Sequence, residues 1–399
     1  MEQVRGSRSR LVALVLVLAS AGAELWADEA PGPVKVFILA GQSNMQGHAH
    51  VRTLEALALD PESASIATEL CDASGRPRVC DDVWISSLSS GGVRTGRLTA
   101  GFGADENKIG PEFAFGVTAR KRLGVPIVII KAAWGGKSLH TDFRPPSAGP
   151  YIFTEAQKSR IEKRGDDPDE ARAEKERATG LYYRRMVEHV RSVLADLSAL
   201  VPGYDATRGY ELAGFVWFQG WNDMVDGDAY PLRDEVGGYD AYSVVLTHFI
   251  DDVRRDLSAP ELPFVIGVMG VGGPTTQFGP DEQRSRAVQQ RFRDAMAAPA
   301  SDPRFAGTVT AVRTEAFWDI ELGRLWTRDQ KLRRALEERR EKGEISRAEE
   351  EAQLEEARAA AFAPRERTLL EKGVSNAEYH YLGSAKILSK IGRAFAEPL

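Results

Sequence analysis

Short apolar runs, rich in β-branched residues and each closed by a glycine or a small polar residue, recur along this chain. Residues 34–39 run into Gly41-Gln42-Ser43, and residues 125–130 run into Lys131 and then Trp134-Gly135-Gly136. Residues 215–218 lead to Gln219-Gly220, and residues 264–268 to Met269-Gly270. Apolar runs bounded in this way predict strands of a parallel sheet, buried on both faces. Between them, residues 110–123, 178–200 and 239–257 read as helices. Strand, turn and helix in alternation predict an α/β fold: a three-layer α/β/α sandwich around a central, mostly parallel sheet. Ligands of such open sheets bind outside the carboxyl ends of the strands. The small and polar residues that end three of the runs therefore mark where a site belongs.

Two stretches break the alternation. Residues 159–178 are dense in charge with little apolar periodicity, and residues 324–372 are rich in Glu, Arg and Ala with leucines on a narrow stripe. The second predicts one or two solvated helices, packed on themselves or on a protein partner. The expected organisation is a leader over 1–27, the main domain over 28–320, a charged helical insertion over 321–372, and a return to the domain over 373–399.

The leader rests on Arg5, Arg8 and Arg10, the apolar residues 11–18, and the small residues that follow. This is the layout of an export signal, cut after Ala23 or Ala27. An uncleaved anchor is the alternative, but a spanning helix needs about 20 apolar residues and this run is shorter. The mature chain is expected to be soluble, and secreted or periplasmic. Cys71 and Cys80 are the only cysteines, and in an exported chain such a pair predicts one disulfide, here pinning a surface loop. The formal net charge is −6, and no basic stripe joins aromatic residues, which argues against a nucleic-acid partner.

Ser43 follows a strand directly, on a tight turn that Gly41 permits. Such a serine presents its hydroxyl at the sheet edge and its own N–H to a developing oxyanion. The plainer reading is that Ser43 caps the next helix. His380 lies just ahead of the last helix, where a late loop can return to the sheet edge and supply a general base. His48 and His50 follow the serine closely and are candidates to line the pocket; His140 is a weaker one. No His-Glu-x-x-His or comparable spacing is present, so no metal or other cofactor is expected.

Four motifs occur together: Gly41-Gln42-Ser43-Asn44-Met45, Lys131 to Ser138 with Trp134-Gly135-Gly136, Trp217 to Asp223 with Gln219-Gly220-Trp221-Asn222, and Tyr379-His380-Tyr381. In this order they resemble the sialate O-acetylesterase domain and the acetyl-xylan esterases of carbohydrate esterase family 6, within the SGNH-hydrolase superfamily. The resemblance implies a secreted esterase that removes acetyl groups from an acetylated carbohydrate. It implies Ser43 as nucleophile, His380 as base, and an oxyanion hole from the N–H groups of Ser43 and Gly136 (Gly135 as fallback) with the Asn222 amide. Gln42, Gln219, Trp134 and Trp221 either contact the sugar or tie loops and pack. One departure matters. Many members carry an aspartate three residues before the histidine, where this chain has Ala377; Glu378 is the nearest carboxylate and the expected orienting acid, with a distant acid or a bare Ser–His dyad as alternatives. A non-catalytic carbohydrate-binding protein on the same fold is the second reading.

Overall fold

The computed structural model describes Met1 and residues 32–399. The leader expected over 1–27 lies outside the described residues apart from Met1. Among the described residues nine strands form: β1 Val34–Gly41, β2 Ala49–His50, β3 Val83–Ser89, β4 Gly92–Arg97, β5 Lys108–Ile109, β6 Ile127–Ala133, β7 Tyr210–Phe218, β8 Phe264–Val268 and β9 Val309–Arg313. Seven of them make the main sheet in the order β4-β3-β6-β1-β7-β8-β9, and β2 pairs with β5 apart from it. Every pairing in the main sheet is parallel except the β3–β4 hairpin. This is the mostly parallel α/β architecture that the apolar runs predict.

Helices cover both faces, and β7 shows how the sequence divides them. Phe215 and Trp217 point to Phe249 of helix Asp240–Asp256. Phe218, one position on, points to Phe395 of helix Ala385–Ala396. Successive side chains on a strand face opposite ways, so an unbroken apolar run feeds two helical layers at once. Phe37 of β1 likewise meets Phe115 of helix Pro111–Leu123, which joins Ala385–Ala396 in the second layer.

The register sets the site. Gly41 at the end of β1 sits opposite Ala133 of β6 on one side and Phe218 of β7 on the other. Three strands thus end level, side by side, and the three motif loops leave the sheet at one place. The chain runs from β1 to β3 and β6 on one flank, and from β7 to β8 and β9 on the other. A crevice at such a reversal is where open α/β sheets hold ligands.

The cysteine expectation is corrected. Cys71 and Cys80 are free thiols. Their loop is closed without a covalent bridge: Cys71 pairs with Pro77, Asp72 accepts the N–H groups of Ser74 and Arg76, and the Cys80 N–H reaches the Leu98 carbonyl. Burial raises both thiols, Cys80 to about 11, so neither is a ready thiolate.

The charged stretches are helical. Residues 155–178 form Glu155–Arg164 and Pro168–Ala178, and the later stretch forms Ile320–Glu341, Arg347–Ala361 and Pro364–Gly373. The narrow leucine stripe predicts one or two helices there; three form, and ion pairs tie them together. Asp329, 4 % exposed, binds Arg333 at 2.7 Å and Arg358 at 2.6 and 2.9 Å. Leu322, Leu325, Leu336, Ile345 and Phe362 are buried beneath. Among the described residues no helix is long and apolar enough to cross a membrane.

Candidate active site

The turn after β1 leaves no room for a side chain at its first position: a Cβ on Gly41 would lie 2.1 Å from the Phe218 carbonyl oxygen. The short helix Ser43–Gln46 follows at once, with Gln42 at its cap position and no side-chain cap bond. The Ser43 hydroxyl is therefore not spent as a cap. The helix is braced from below by a buried ion pair that sequence reasoning missed. Lys131 Nζ donates to the carbonyls of Gln46 at 2.8 Å and Phe102 at 2.9 Å, and to Glu112 Oε2 at 2.7 Å. Glu112 Oε1 accepts the Gly110 N–H at 2.9 Å, and both side chains of the pair are essentially fully buried. The one signal was a lysine inside an otherwise apolar strand, where a charge persists only if paired.

The two glutamines tie loops together. Gln42, 1 % exposed, accepts the Gly220 N–H at 2.9 Å through Oε1 and donates through Nε2 to Asn222 Oδ1 at 3.1 Å. With its oxygen held there, Asn222 keeps its amide N–H groups for the cavity. Gln219 donates to Gln42 Oε1, to the Lys137 carbonyl and to Asp223. Asp223, fully buried, in turn accepts the N–H groups of Leu139 and His140 and the Tyr230 hydroxyl. The loops after β1, β6 and β7 are thus one hydrogen-bonded unit. Of Gln42 and Gln219, expected either to contact the sugar or to tie loops, both tie loops; Gln219 does not line the site cavity, whereas Gln42 also lines it. Trp134 packs: it is 2 % exposed and lies against Phe143 and Tyr182. Trp221 is half-buried and lies beside Tyr379, with ring centroids 5.6 Å apart.

His380 arrives on the loop before the last helix. Its Nδ1 lies 2.8 Å from Asn376 Oδ1, and the same oxygen accepts the Ala377 N–H at 2.8 Å. The backbone donor fixes which end of the Asn376 amide is oxygen, so Nδ1 must carry the proton and Nε2 is the free base. This corrects the expectation for Glu378. That carboxyl lies toward Gly272, with Oε1 3.6 Å from where a Cβ there would stand, and it makes no bond to His380. Burial, reinforced by Glu282, raises its pKa. An amide four residues ahead of the histidine orients the ring; the preceding-aspartate pattern could not reveal it.

A second imidazole backs the first. His48 stacks on His380 with centroids 4.0 Å apart and planes 2° from parallel. Burial pushes His380 down to about 3, with lesser contributions from His48 and Lys108, and burial pushes His48 to about 4. His50 faces elsewhere, its Nδ1 accepting the Arg52 N–H, and His140 is tied to Thr141 and Asp226. The loop of His380 is stitched to the segment after Ser43. Ser375 Oγ accepts the His50 N–H at 2.9 Å and donates to the Gly383 carbonyl at 2.7 Å, while Thr53 Oγ1 accepts the Ala385 N–H at 3.1 Å. Immediately after His380, Tyr381 and Leu382 have φ of 51° and 60°, a left-handed conformation that costs side-chain-bearing residues roughly 1–3 kcal/mol each. Tyr381 is locked there by burial, with its hydroxyl accepting the Gly270 N–H at 2.8 Å and lying 2.6 Å from Thr314 Oγ1.

These elements surround one cavity of about 440 Å³, lined by Ser43, His48, Gly135, Gly136, Trp221, Asn222, Tyr379 and His380 among others. A Cβ on Gly135 would stand 3.8 Å from Ser43 Cβ, and Gly136 adopts φ of 72°. The residues that the motifs single out, Trp134, Gln219 and Glu378 aside, meet around this space.

Comparison with known proteins agrees with the motifs. The family model described as "Carbohydrate esterase, sialic acid-specific acetylesterase" matches residues 33–305. No curated protein matches. Among solved structures, a protein from Arabidopsis thaliana is 16% identical with a TM-score of 0.36, the alignment covering 71% of this chain and 86% of that one. A carbohydrate acetylesterase from Xanthomonas citri is 15% identical with a TM-score of 0.37, covering 69% of this chain and 49% of that one. The family match takes in more than half of the sequence, and the chain belongs to the carbohydrate esterase family of sialic acid-specific acetylesterases.

Proposed function

We propose that this protein is a serine esterase that hydrolyses O-acetyl groups of a carbohydrate. The observation that carries the reading is the single cavity shared by Ser43, His380, Asn222 and Gly136. His380 Nε2 takes the Ser43 proton as Oγ attacks the acetyl carbonyl. The oxyanion is held by the N–H groups of Ser43 and Gly136 and by the Asn222 amide. Collapse expels the sugar hydroxyl, which receives its proton from His380, and water activated by the same imidazole then hydrolyses the acetyl-enzyme. Asn376 holds the productive tautomer without adding negative charge. Burial keeps the imidazole of the free protein unprotonated, so Nε2 is open to accept a proton. Trp221 and the exposed Tyr379 form the aromatic rim against which a sugar ring packs.

The test is acetate release from an aryl acetate and from acetylated sialic acid and xylan, by the wild type and by Ser43→Ala. Loss of release by roughly 10⁴-fold or more, with an unchanged melting temperature, is expected for removal of a nucleophile. Full activity in Ser43→Ala would refute the reading. Export by removal of residues 1–27 belongs to the same proposal, and amino-terminal sequencing of the mature protein checks it.

A further inference from the structure

A larger cavity than that of the candidate active site lies elsewhere among the described residues. A groove of about 1120 Å³ lies between the helices of residues 320–373 and the body, and its lining reaches Asn376 and Ala377, the residues that hold His380 from behind. The family match ends at residue 305, so the helices that wall this groove lie outside it.

The groove presents unused binding groups. Trp326 and Gln330 stand four residues apart on helix Ile320–Glu341, hence on one face. Among the described residues neither the Trp326 indole N–H nor the Gln330 amide has a hydrogen-bond partner, and the Trp326 ring stacks on no other ring. Opposite them, on helix Pro364–Gly373, Arg367 is exposed and carries no ion pair. The charges there do not balance. Of the lining carboxylates, Asp329 is taken by Arg333 and Arg358, and Glu355 by Arg358. Arg52 spends its guanidinium on the carbonyls of Glu371 and Val374 at the carboxyl end of helix Pro364–Gly373, and among the described residues no carboxylate is paired to it. The lining therefore holds four arginines, Arg52, Arg333, Arg358 and Arg367, against three carboxylates, Asp329, Glu355 and Glu371, and of these arginines only Arg367 is unengaged.

We propose that this groove is a second binding site, taking carboxylate-bearing sugar units of an acidic glycan. An indole offers a flat apolar face together with a donor, an amide pairs with hydroxyls, and a free guanidinium suits a carboxylate bidentately. The volume exceeds that of one monosaccharide or a small ion, so the natural occupant is a stretch of chain. That the ligand is a sugar rests on the carbohydrate-esterase reading; that it is anionic rests on the groove alone.

The experiment is isothermal titration of the full chain carrying Ser43→Ala with an oligogalacturonate and with a neutral xylo-oligosaccharide of equal length. Saturable binding of the acidic oligomer is expected, weakened at high salt and at least tenfold by Trp326→Ala or by Arg367→Glu. The neutral oligomer should bind at least tenfold more weakly. Arg367 is exposed, so Arg367→Glu tests the site even if Trp326→Ala fails to fold. Absence of binding, equal binding of the neutral oligomer, or binding untouched by Arg367→Glu would each overturn the proposal. Binding lost in Trp221→Ala but kept in Arg367→Glu would place the oligomer in the active-site cavity and overturn it too. Because Ser43 is already absent, binding is read without turnover: failure here leaves the hydrolytic reading standing, and failure of hydrolysis is registered in the separate acetate-release assay.

Discussion

The two halves of the candidate active site are built differently. The Ser43 half, with its oxyanion donors, rises from three strands that end level, and buried amides and Asp223 fuse its loops. The His380 half is a loop at the far end of the sequence, held by Asn376, by two side-chain hydroxyls and by a left-handed backbone pinned at Tyr381. The first half comes with the sheet. The second is an attachment, and its geometry rests on a few replaceable contacts.

The comparison can be broken at each joint. On the rigid side, Asn222→Ala should lower kcat/KM by about 100- to 1,000-fold, the usual loss of one oxyanion donor, with little change in melting temperature. A loss under tenfold would remove Asn222 from the hole.

On the attached side, Asn376→Ala should forfeit much of the roughly 10²–10⁴-fold that a positioned base supplies. Asn376→Asp should keep activity but change its pH profile. A carboxylate at Nδ1 favours imidazolium, so the acid limb of kcat/KM moves up from about 3 towards the ordinary histidine value of 6.5. An unmoved limb would show that Asn376 is not the ring's partner in solution.

His48→Ala should raise the same limb by opening one face of His380 to water, whereas His48→Phe keeps the face covered and the limb low. The sign for stability follows from the same burial. His380 and His48 titrate lower folded than unfolded, so the unfolded chain binds more protons below about 6.5. Stability therefore rises with pH through that window and falls as pH drops towards the folded values. Chemical denaturation at pH 4 and pH 7 measures it.

Tyr381→Phe leaves the buried Gly270 N–H without its acceptor and should cost about 1–3 kcal/mol of stability, read by urea unfolding. The smallest effect is expected at Glu378: Glu378→Gln should hold kcat/KM within about threefold, because the carboxyl touches no reacting group.

The asymmetry also explains what could be read in advance. The strands around Ser43 announce themselves as unbroken apolar runs ending in glycine, and the donors follow within a few residues. β3 escaped because Ser86, Ser87 and Ser89 make half of a buried strand look polar. The role of Asn376 was illegible, since it depends on an amide oxygen being shared between a backbone N–H and an imidazole. Gln42 and Gln219 read in sequence equally as sugar ligands or loop ties; only their spatial partners show that both tie the loops and that Gln42 alone of the two also lines the cavity. The cysteines invite a disulfide wherever a chain is read as exported, yet backbone pairing and the Asp72 carboxylate close their loop.

Helix Pro364–Gly373 runs directly into the segment that bears the base, and Arg52 clamps that junction through the carbonyls of Glu371 and Val374. On the proposed mechanism the three-helix appendage is consequently a post that holds the catalytic loop. Heating that loosens it should silence the enzyme while the sheet, with its buried aromatic layers, is still intact.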